Sequence, residues 1–164
     1  MNMIAAVDKN WGIGKDNELL DHIPEDMKFF RQTTTGKAVI MGKNTLLSFP
    51  GQKPLPNRLN IVLTHDKSFS KEGAVICHSV QDAVKEASQN FADEDIFVIG
   101  GAAVYAEMEP LCKTAYITKI DKEYQADKFL VSLDKLPEWK IESEERVQTE
   151  KGLYITFTKY VRQG

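Results

Sequence analysis

The segment IFVIGGAAVY at residues 96–105 combines a short apolar run, two glycines and a helix-forming stretch. Residues 96–99 predict a strand buried on both faces, because a continuous apolar run leaves no polar side for solvent. Gly100 and Gly101 predict a tight turn, and residues 102–109 predict a helix that Pro110 stops. A buried strand that leads into a helix is the repeating unit of a parallel sheet covered by helices.

Segments of the same kind lie on both sides of this unit. Strands are predicted at residues 3–7, 37–41, 59–64 and 74–77. Helices are predicted from Pro24 to about residues 33–36, at residues 43–49, and at residues 80–89 with Ser79 as N-cap. Met27 and Phe30 are predicted to form the apolar stripe of the first helix. Residues 8–23 and 50–57 are predicted loops, and the first is long enough to indicate a functional lid.

The last third of the chain has a different pattern. Strands are predicted at residues 115–120, 140–147 and 153–161, and in the last of these apolar residues alternate with polar residues and tyrosines. Gly152 marks the turn before it, so the two final strands form an antiparallel hairpin. The predicted fold class is therefore α/β, with a mainly parallel central sheet, flanking helices and a C-terminal antiparallel hairpin at one edge.

The composition excludes several classes of protein. A length of 164 residues fits one domain, predicted to span residues 1–164, and a net charge of −3 does not favour a nucleic-acid partner. No basic leader and no run of about 18 apolar residues is present, so we predict a cytoplasmic protein without membrane contact. Cys77, Cys112 and the three histidines form no recognisable ligand set, so no metal is predicted.

Two glycine-containing turns follow predicted strands. One is Gly42-Lys43-Asn44-Thr45 and the other begins at Gly100. Each turn either cradles a phosphate of a dinucleotide or simply permits a tight connection, and neither has the G-x-G-x-x-G or P-loop spacing. Lys43, His65 and Lys67 follow two strand ends, where they either meet a 2′-phosphate or are solvated surface charges.

Asp26 lies in the first turn of the predicted first helix. It is either a solvated carboxylate that complements the helix dipole or the only buried acid of an apolar cleft. In a cleft, its two oxygens would suit the two nitrogens of a cyclic amidine. Arg58 follows a proline-rich loop, where it either binds a substrate carboxylate or forms an exposed salt bridge.

Seven stretches together resemble the single-domain, bacterial chromosomal type of the dihydrofolate reductase family. They are IAA at residues 4–6, WGIG at 11–14, IPEDMKFF at 23–30, VIMGKNT at 39–45, PLPNRLNI at 54–61, IGGAAVY at 99–105 and YITKI at 116–120. The resemblance implies about eight strands and four helices. It also implies reduction of 7,8-dihydrofolate to tetrahydrofolate for one-carbon metabolism, with hydride from NADPH to pterin C6 and a proton delivered by water to N5.

The resemblance also implies roles for particular residues. Asp26 is expected to bind the pterin N3 and 2-amino edge and Thr118 to orient it, which makes these two the predicted catalytic residues. Further substrate contacts are predicted at Ile4, Ala5, Met27, Phe30, Phe49, Leu55, Arg58, Ile99 and Tyr105. Cofactor contacts are predicted at Ala6, Ile13, Gly14, Asn17, Leu19, Gly42, Lys43, Asn44, Thr45, Leu63, Thr64, His65, Lys67, Gly100, Gly101, Ala102, Ala103, Val104 and Tyr105.

The chain departs from the family pattern in the lid. Leu20-Asp21 stands where the family has Pro-Trp, so Asp21 either points to water or forms a second buried carboxylate coupled to Asp26. Ala126-Asp127 and residues 129–131 also differ, which puts contacts that steady the lid in doubt.

Two alternative functions follow: an NADPH reductase of another pterin or a ribosylaminopyrimidine, or a non-catalytic folate- or NADPH-binding protein. The resemblance further implies a monomer that binds antifolate inhibitors.

Overall fold

The computed structural model describes all 164 residues, which form eleven strands and four α-helices. The strands are β1 Asn2–Val7, β2 Gly12–Lys15, β3 Glu18–Leu19, β4 Ala38–Gly42, β5 Leu59–Leu63, β6 Ala74–Cys77, β7 Ile96–Gly100, β8 Thr114–Ile120, β9 Lys128–Phe129, β10 Trp139–Gln148 and β11 Tyr154–Arg162. The helices are α1 Pro24–Thr34, α2 Lys43–Leu47, α3 Val80–Ser88 and α4 Ala102–Met108. Short 3-10 turns occur at Pro50–Gln52, Asp93–Asp95, Glu109–Leu111 and Leu133–Lys135.

Eight of the strands form one central sheet in the order β10-β11-β8-β1-β7-β4-β5-β6. Neighbours from β8 to β6 are parallel, whereas β11 is antiparallel to both β8 and β10. The predicted fold class is therefore confirmed, including the C-terminal hairpin at one edge. None of the four α-helices has the length and the run of apolar residues that a membrane-spanning helix requires.

Both faces of the parallel part of the sheet are covered by helices. The side chains of α3 and α4 pack with Met3 and Val98 on one face. Residues of α1 and α2 pack with Ile4 and Phe97 on the other face. Because successive residues of a strand point to opposite faces, a strand covered on both sides must be apolar throughout, as residues 96–99 are.

The prediction of an unstructured loop at residues 8–23 is wrong. This segment contains β2 and β3, which form a small three-stranded sheet with β9. The backbone N–H of Asp127 donates to the carbonyl of Gly14 at 2.9 Å, and Leu130 N–H donates to the carbonyl of Trp11. The pairing of β2 with β3 is local, but both strands are very short, and β2 is held on its other side by β9, more than 100 positions away, which a local pattern does not show.

Two details of the predicted helices are corrected. Helix α4 ends at Met108, and Pro110 lies within the 3-10 turn that follows. Met27 is 46% exposed, so the side of α1 that faces the sheet consists of Phe29 and Phe30. The Phe29 ring lies 4.8 Å from the ring of Phe157 on β11, which fixes the rotation of α1 and brings Asp26 towards the sheet.

Candidate active site

A cavity of about 480 Å³ opens at the edge of the sheet where β1, β4, β5 and β7 end. Every predicted cofactor residue except Lys67 lines it. Predicted substrate residues Ala5 and Ile99 also line it. The lining further includes residues that the sequence did not single out: Glu18, Ser48, Glu107 and Lys128. Carboxyl ends of parallel strands are where α/β sheets bind ligands, because the turns there leave a crevice with free backbone groups.

The glycines of the two turns allow a close approach of backbone and side chains. A Cβ on Gly42 would lie 3.2 Å from Cγ2 of Val104, and Gly100 has φ +123°, a conformation that favours glycine. No side chain caps α2 or α4, so the N–H groups of their first turns are free for an anion. Tyr105 of α4 donates its hydroxyl hydrogen to the carbonyl of Ile4 at 2.7 Å, which ties that helix to β1.

Asp26 and Thr118 do not line this cavity, but they lie one strand away from it. The Thr118 hydroxyl donates to Oδ1 of Asp26 at 2.6 Å, and Thr118 pairs with cavity-lining Ala6 across β8 and β1. Burial raises the pKa of the Asp26 carboxyl above its ordinary value, and the bond from Thr118 partly opposes that rise. Asp26 is therefore placed in a cleft, and the alternative of a fully solvated first-turn carboxylate is wrong.

The prediction that Asp26 is the only buried acid is wrong, because Asp26 keeps some exposure and the acid that is fully buried is Asp8. Asp8 is 2% exposed, and its Oδ1 accepts the backbone N–H groups of Asn10 and Gly12 at 2.9 and 2.8 Å. Its Oδ2 accepts the N–H of Tyr124 at 3.0 Å, so this carboxylate joins the end of β1 to two loops. The local signal was available: an Asp followed by Lys-Asn-Trp-Gly is typical of a side chain that caps its own turn.

Four predicted substrate residues cluster with Ile4 on the α1 side of the sheet. They are Phe30, Phe49, Leu55 and Ile99. Arg58 lies in the same region. Its Nη1 donates to the Thr34 hydroxyl at 3.1 Å and its Nε to the Pro56 carbonyl at 2.9 Å. The predicted alternative of an exposed salt bridge is wrong, because these neutral acceptors leave the guanidinium charge uncompensated.

Of the three basic residues predicted near a phosphate, Lys43 and His65 line the cavity and Lys67 does not. Lys43 is paired, since its Nζ lies 2.8 Å from Oδ2 of Asp66. Asp66 was missed by sequence reasoning although it stands between two residues that were singled out. The Asp-Lys-Ser order is typical of a turn closed by an aspartate side chain, and this signal could have drawn attention to it.

Asp21, the main departure from the family pattern, is bonded to residues other than Asp26, and neither carboxylate affects the pKa of the other. Its Oδ2 accepts the Tyr124 hydroxyl at 2.7 Å, and its Oδ1 lies 3.5 Å from Nζ of Lys151. The hydrogen bond from Tyr124 is the main cause of a lowered pKa at Asp21. The alternative of a second carboxylate coupled to Asp26 is therefore wrong. Asp21 is part of a polar contact between the lid and two other segments.

The other departures leave the lid in contact with the loop before β9. Asp16 N–H donates to Oδ2 of Asp127 at 3.1 Å, in addition to the backbone bond from Asp127 to Gly14. Gly12 packs so closely against Ala126 that a Cβ at position 12 would lie 2.5 Å from the Ala126 Cβ. The contact in doubt is therefore present, and its closeness depends on glycine at position 12.

Comparison with known proteins places this arrangement in one family. The family model described as dihydrofolate reductase matches residues 1–162. The chain is 37% identical over 155 residues to the dihydrofolate reductase of Bacillus subtilis (strain 168), covering 94% of this chain and 89% of that protein. It is 39% identical to that of Haemophilus influenzae over 156 residues, covering 93% of this chain and 92% of that protein.

A solved structure gives the same result. The dihydrofolate reductase from Enterococcus faecalis, described as complexed with NADP(H) and RAB-propyl, superposes with a TM-score of 0.89 and 30% identity. The match covers 99% of this chain and 96% of that one. With the fold, the family model and the relatives in agreement, this chain belongs to the dihydrofolate reductase family.

Proposed function

We propose that this chain reduces 7,8-dihydrofolate to 5,6,7,8-tetrahydrofolate with NADPH, and so supplies one-carbon metabolism. The observation that carries the proposal is the Asp26–Thr118 pair beside the cavity at the strand ends. A carboxyl group in a cleft, bonded on one oxygen by a hydroxyl, still offers its other oxygen and remaining lone pairs to the N3 and 2-amino edge of a pterin.

The residues of the cavity fit the cofactor. The two glycine turns present free N–H groups where a pyrophosphate would need donors, and no side chain competes for them. Ala6 and Ile13 would bind the carboxamide through their backbone groups, and Thr64 and His65 would lie against the 2′-phosphate. When bound, NADPH supplies the hydride. The protein aligns the two rings and excludes water from the reacting atoms.

On the substrate side, Asp26 binds and polarises the pterin, and water delivers the proton to N5. Apolar walls at Phe30, Phe49 and Leu55 lower the local polarity, which fits the raised pKa of Asp26. Arg58 would bind the glutamate α-carboxylate. Burial and the nearby charge of Arg31 lower the pKa of the Arg58 guanidinium, which indicates a cationic region suited to an anionic tail.

The direct experiment follows the loss of NADPH absorbance in the presence of dihydrofolate. We expect oxidation by the wild-type chain and a large loss in Asp26→Asn. Arg58→Ala separates the proposal from an enzyme acting on a compact pterin or a ribosylaminopyrimidine, because only a substrate with a glutamate tail should bind more weakly. Tight binding of both ligands without oxidation would instead support the non-catalytic alternative.

We also propose a monomer of one domain, residues 1–164, that acts in the cytoplasm and binds antifolates through Asp26. A diamino-substituted heterocycle presents the same pair of donors to a carboxylate as a pterin does. The edge strand β10 carries Glu142, Glu144 and Glu145, and charged residues on an edge strand oppose pairing with a second copy. Light scattering measures the mass, and an antifolate titration of Asp26→Asn tests the binding contact.

A further inference from the structure

The carboxyl ends of β4 and β5 place a lysine and an aspartate against each other at the mouth of the cavity. The two strands are parallel, with Gly42 opposite Leu63, so the residues that follow them meet. Nζ of Lys43 lies 2.8 Å from Oδ2 of Asp66. Thr64 and His65, the residues just before Asp66, line the cavity together with Lys43.

Both partners of this ion pair are fixed in position. The other carboxylate oxygen of Asp66 accepts the backbone N–H and the hydroxyl of Ser68 at 3.0 and 2.6 Å. The Asp66 N–H in turn donates to the Thr64 hydroxyl at 3.1 Å. Lys43 is held on its other side by the Phe69 ring, whose centroid lies 5.2 Å from Nζ. Charge-assisted bonds of this kind hold a side chain in one place.

We propose that Asp66 is a specificity-determining residue that weakens the preference of this chain for a 2′-phosphorylated nucleotide over its unphosphorylated counterpart. The inference rests on the proposed function, in which the 2′-phosphate lies against Thr64 and His65, and on Lys43, which lines the same cavity beside them. A fixed carboxylate beside that position repels a phosphate and also neutralises the lysine that would attract it. Acidic residues at the adenosine ribose are the usual device for accepting the unphosphorylated cofactor.

The size of the effect follows from charge and distance. A phosphate that shares Nζ of Lys43 with Asp66 would lie roughly 5 Å from the carboxylate, given hydrogen bonds of about 2.8 Å on each side. The phosphate carries about −1.5 to −2 charges and the site is open to water, so repulsion amounts to about tenfold in affinity. The pKa of Asp66 is lowered, mainly by the bond from Lys43, so the carboxylate stays charged at neutral pH.

The test compares Asp66→Asn with the wild-type chain in binding adenosine 2′,5′-bisphosphate and 5′-AMP by calorimetry. Asparagine keeps an oxygen for Ser68 and removes the charge. We expect affinity for the bisphosphate to rise about tenfold and affinity for 5′-AMP to stay unchanged. Asp95→Asn is the matched control, because Asp95 forms a 2.7 Å ion pair with Lys37 that is similarly exposed but precedes β4 and β7 at the opposite edge.

The sign of the change decides the outcome. Tighter bisphosphate binding in Asp66→Asn, lost again in Lys43→Met/Asp66→Asn, supports the proposal. Unchanged or weaker bisphosphate binding overturns it, and weaker binding would mean that Asp66 serves to hold Lys43 towards the phosphate. The ratio of kcat/KM for NADPH to that for NADH should rise about tenfold in parallel. The nucleotide titrations need no turnover, so failure of the wild-type chain to oxidise NADPH counts against the proposed function alone.

Discussion

Replacement of Thr118 by valine tests whether its hydroxyl sets the protonation of Asp26. Thr118 is 2% exposed, and valine has nearly the same shape, so the change removes one hydrogen bond and little packing. A bond to an ionised group is worth about 1.5–3 kcal/mol. It favours the charged form of Asp26, so its loss should raise the pKa of Asp26 further, by about one to two units.

The assay is the pH dependence of hydride transfer, followed by stopped-flow absorbance in a single turnover with the wild-type chain, Thr118→Val and Thr118→Ser. We expect the pKa in the profile of Thr118→Val to move up by about one to two units. Thr118→Ser keeps a hydroxyl and should stay close to the wild-type profile. If the valine and wild-type profiles superpose, the hydroxyl does not control the charge of Asp26 and the reasoning is refuted.

Three further changes give separate expectations. Asp26→Asn should slow hydride transfer roughly 10²–10⁴-fold. It should also raise the free energy of unfolding at pH 7. A carboxyl group whose pKa is raised in the folded state makes the folded protein less stable as the pH rises above the unfolded pKa of about 3.9, and asparagine removes that effect. Thermal melting should show this gain shrinking below about pH 4. Tyr124→Phe should lower the free energy of unfolding by about 1–2 kcal/mol at pH 7. Since the folded pKa of Asp21 is lowered, denaturant titrations should show that loss disappearing as pH falls through the folded value. Gly12→Ala should cost about 1–3 kcal/mol through its clash with Ala126. Adding Ala126→Gly should restore only part of the loss, because Oδ1 of Asp8 would still lie 3.0 Å from the new Cβ. A single variant as stable as the wild-type chain would contradict the clash.

The central sheet could be predicted because its signals are local. Continuous apolar runs such as residues 96–99 indicate strands that are buried on both faces. The alternation of apolar and polar residues at 153–161 indicates an antiparallel strand at the edge of the sheet. The small sheet could not be predicted in this way. Its strands β2 and β9 are two to four residues long, and Gly12 and Gly14 have no side chains whose pattern would reveal a buried face. The pairing that joins β2 to β9 spans more than 100 residues of chain, and the local pairing of β2 with β3 is only two residue pairs long.

The candidate site shows the same difference between features with a local sequence signal and features that depend on distant partners. Residues that follow strand ends, such as Gly42 and His65, were predicted because position in the chain fixes position in the crevice. Side chains whose role depends on a distant partner were missed or left open. Tyr124 is hydrogen-bonded to Asp21, 103 residues away in the sequence, and Lys43 is paired with Asp66, 23 residues away. The spacing of residues along the sequence predicts which of them enter a site, but it does not predict which charged side chains form ion pairs with each other there.

The orientation of Asp21 explains how this chain tolerates a carboxylate where its family has an indole. Two carboxylates facing one cleft would share their titration, and one of them would be neutral near the working pH. Here Tyr124 and Lys151 take both oxygens of Asp21, and Lys151 also donates to the carbonyl of His22 at 3.0 Å. Burial, and not a second charge, is then what raises the pKa of Asp26. The polar contact formed by Asp21 thus leaves Asp26, the carboxyl group proposed to bind the pterin, to titrate alone, and the hydrogen bond from Thr118 lowers the pKa that burial raises.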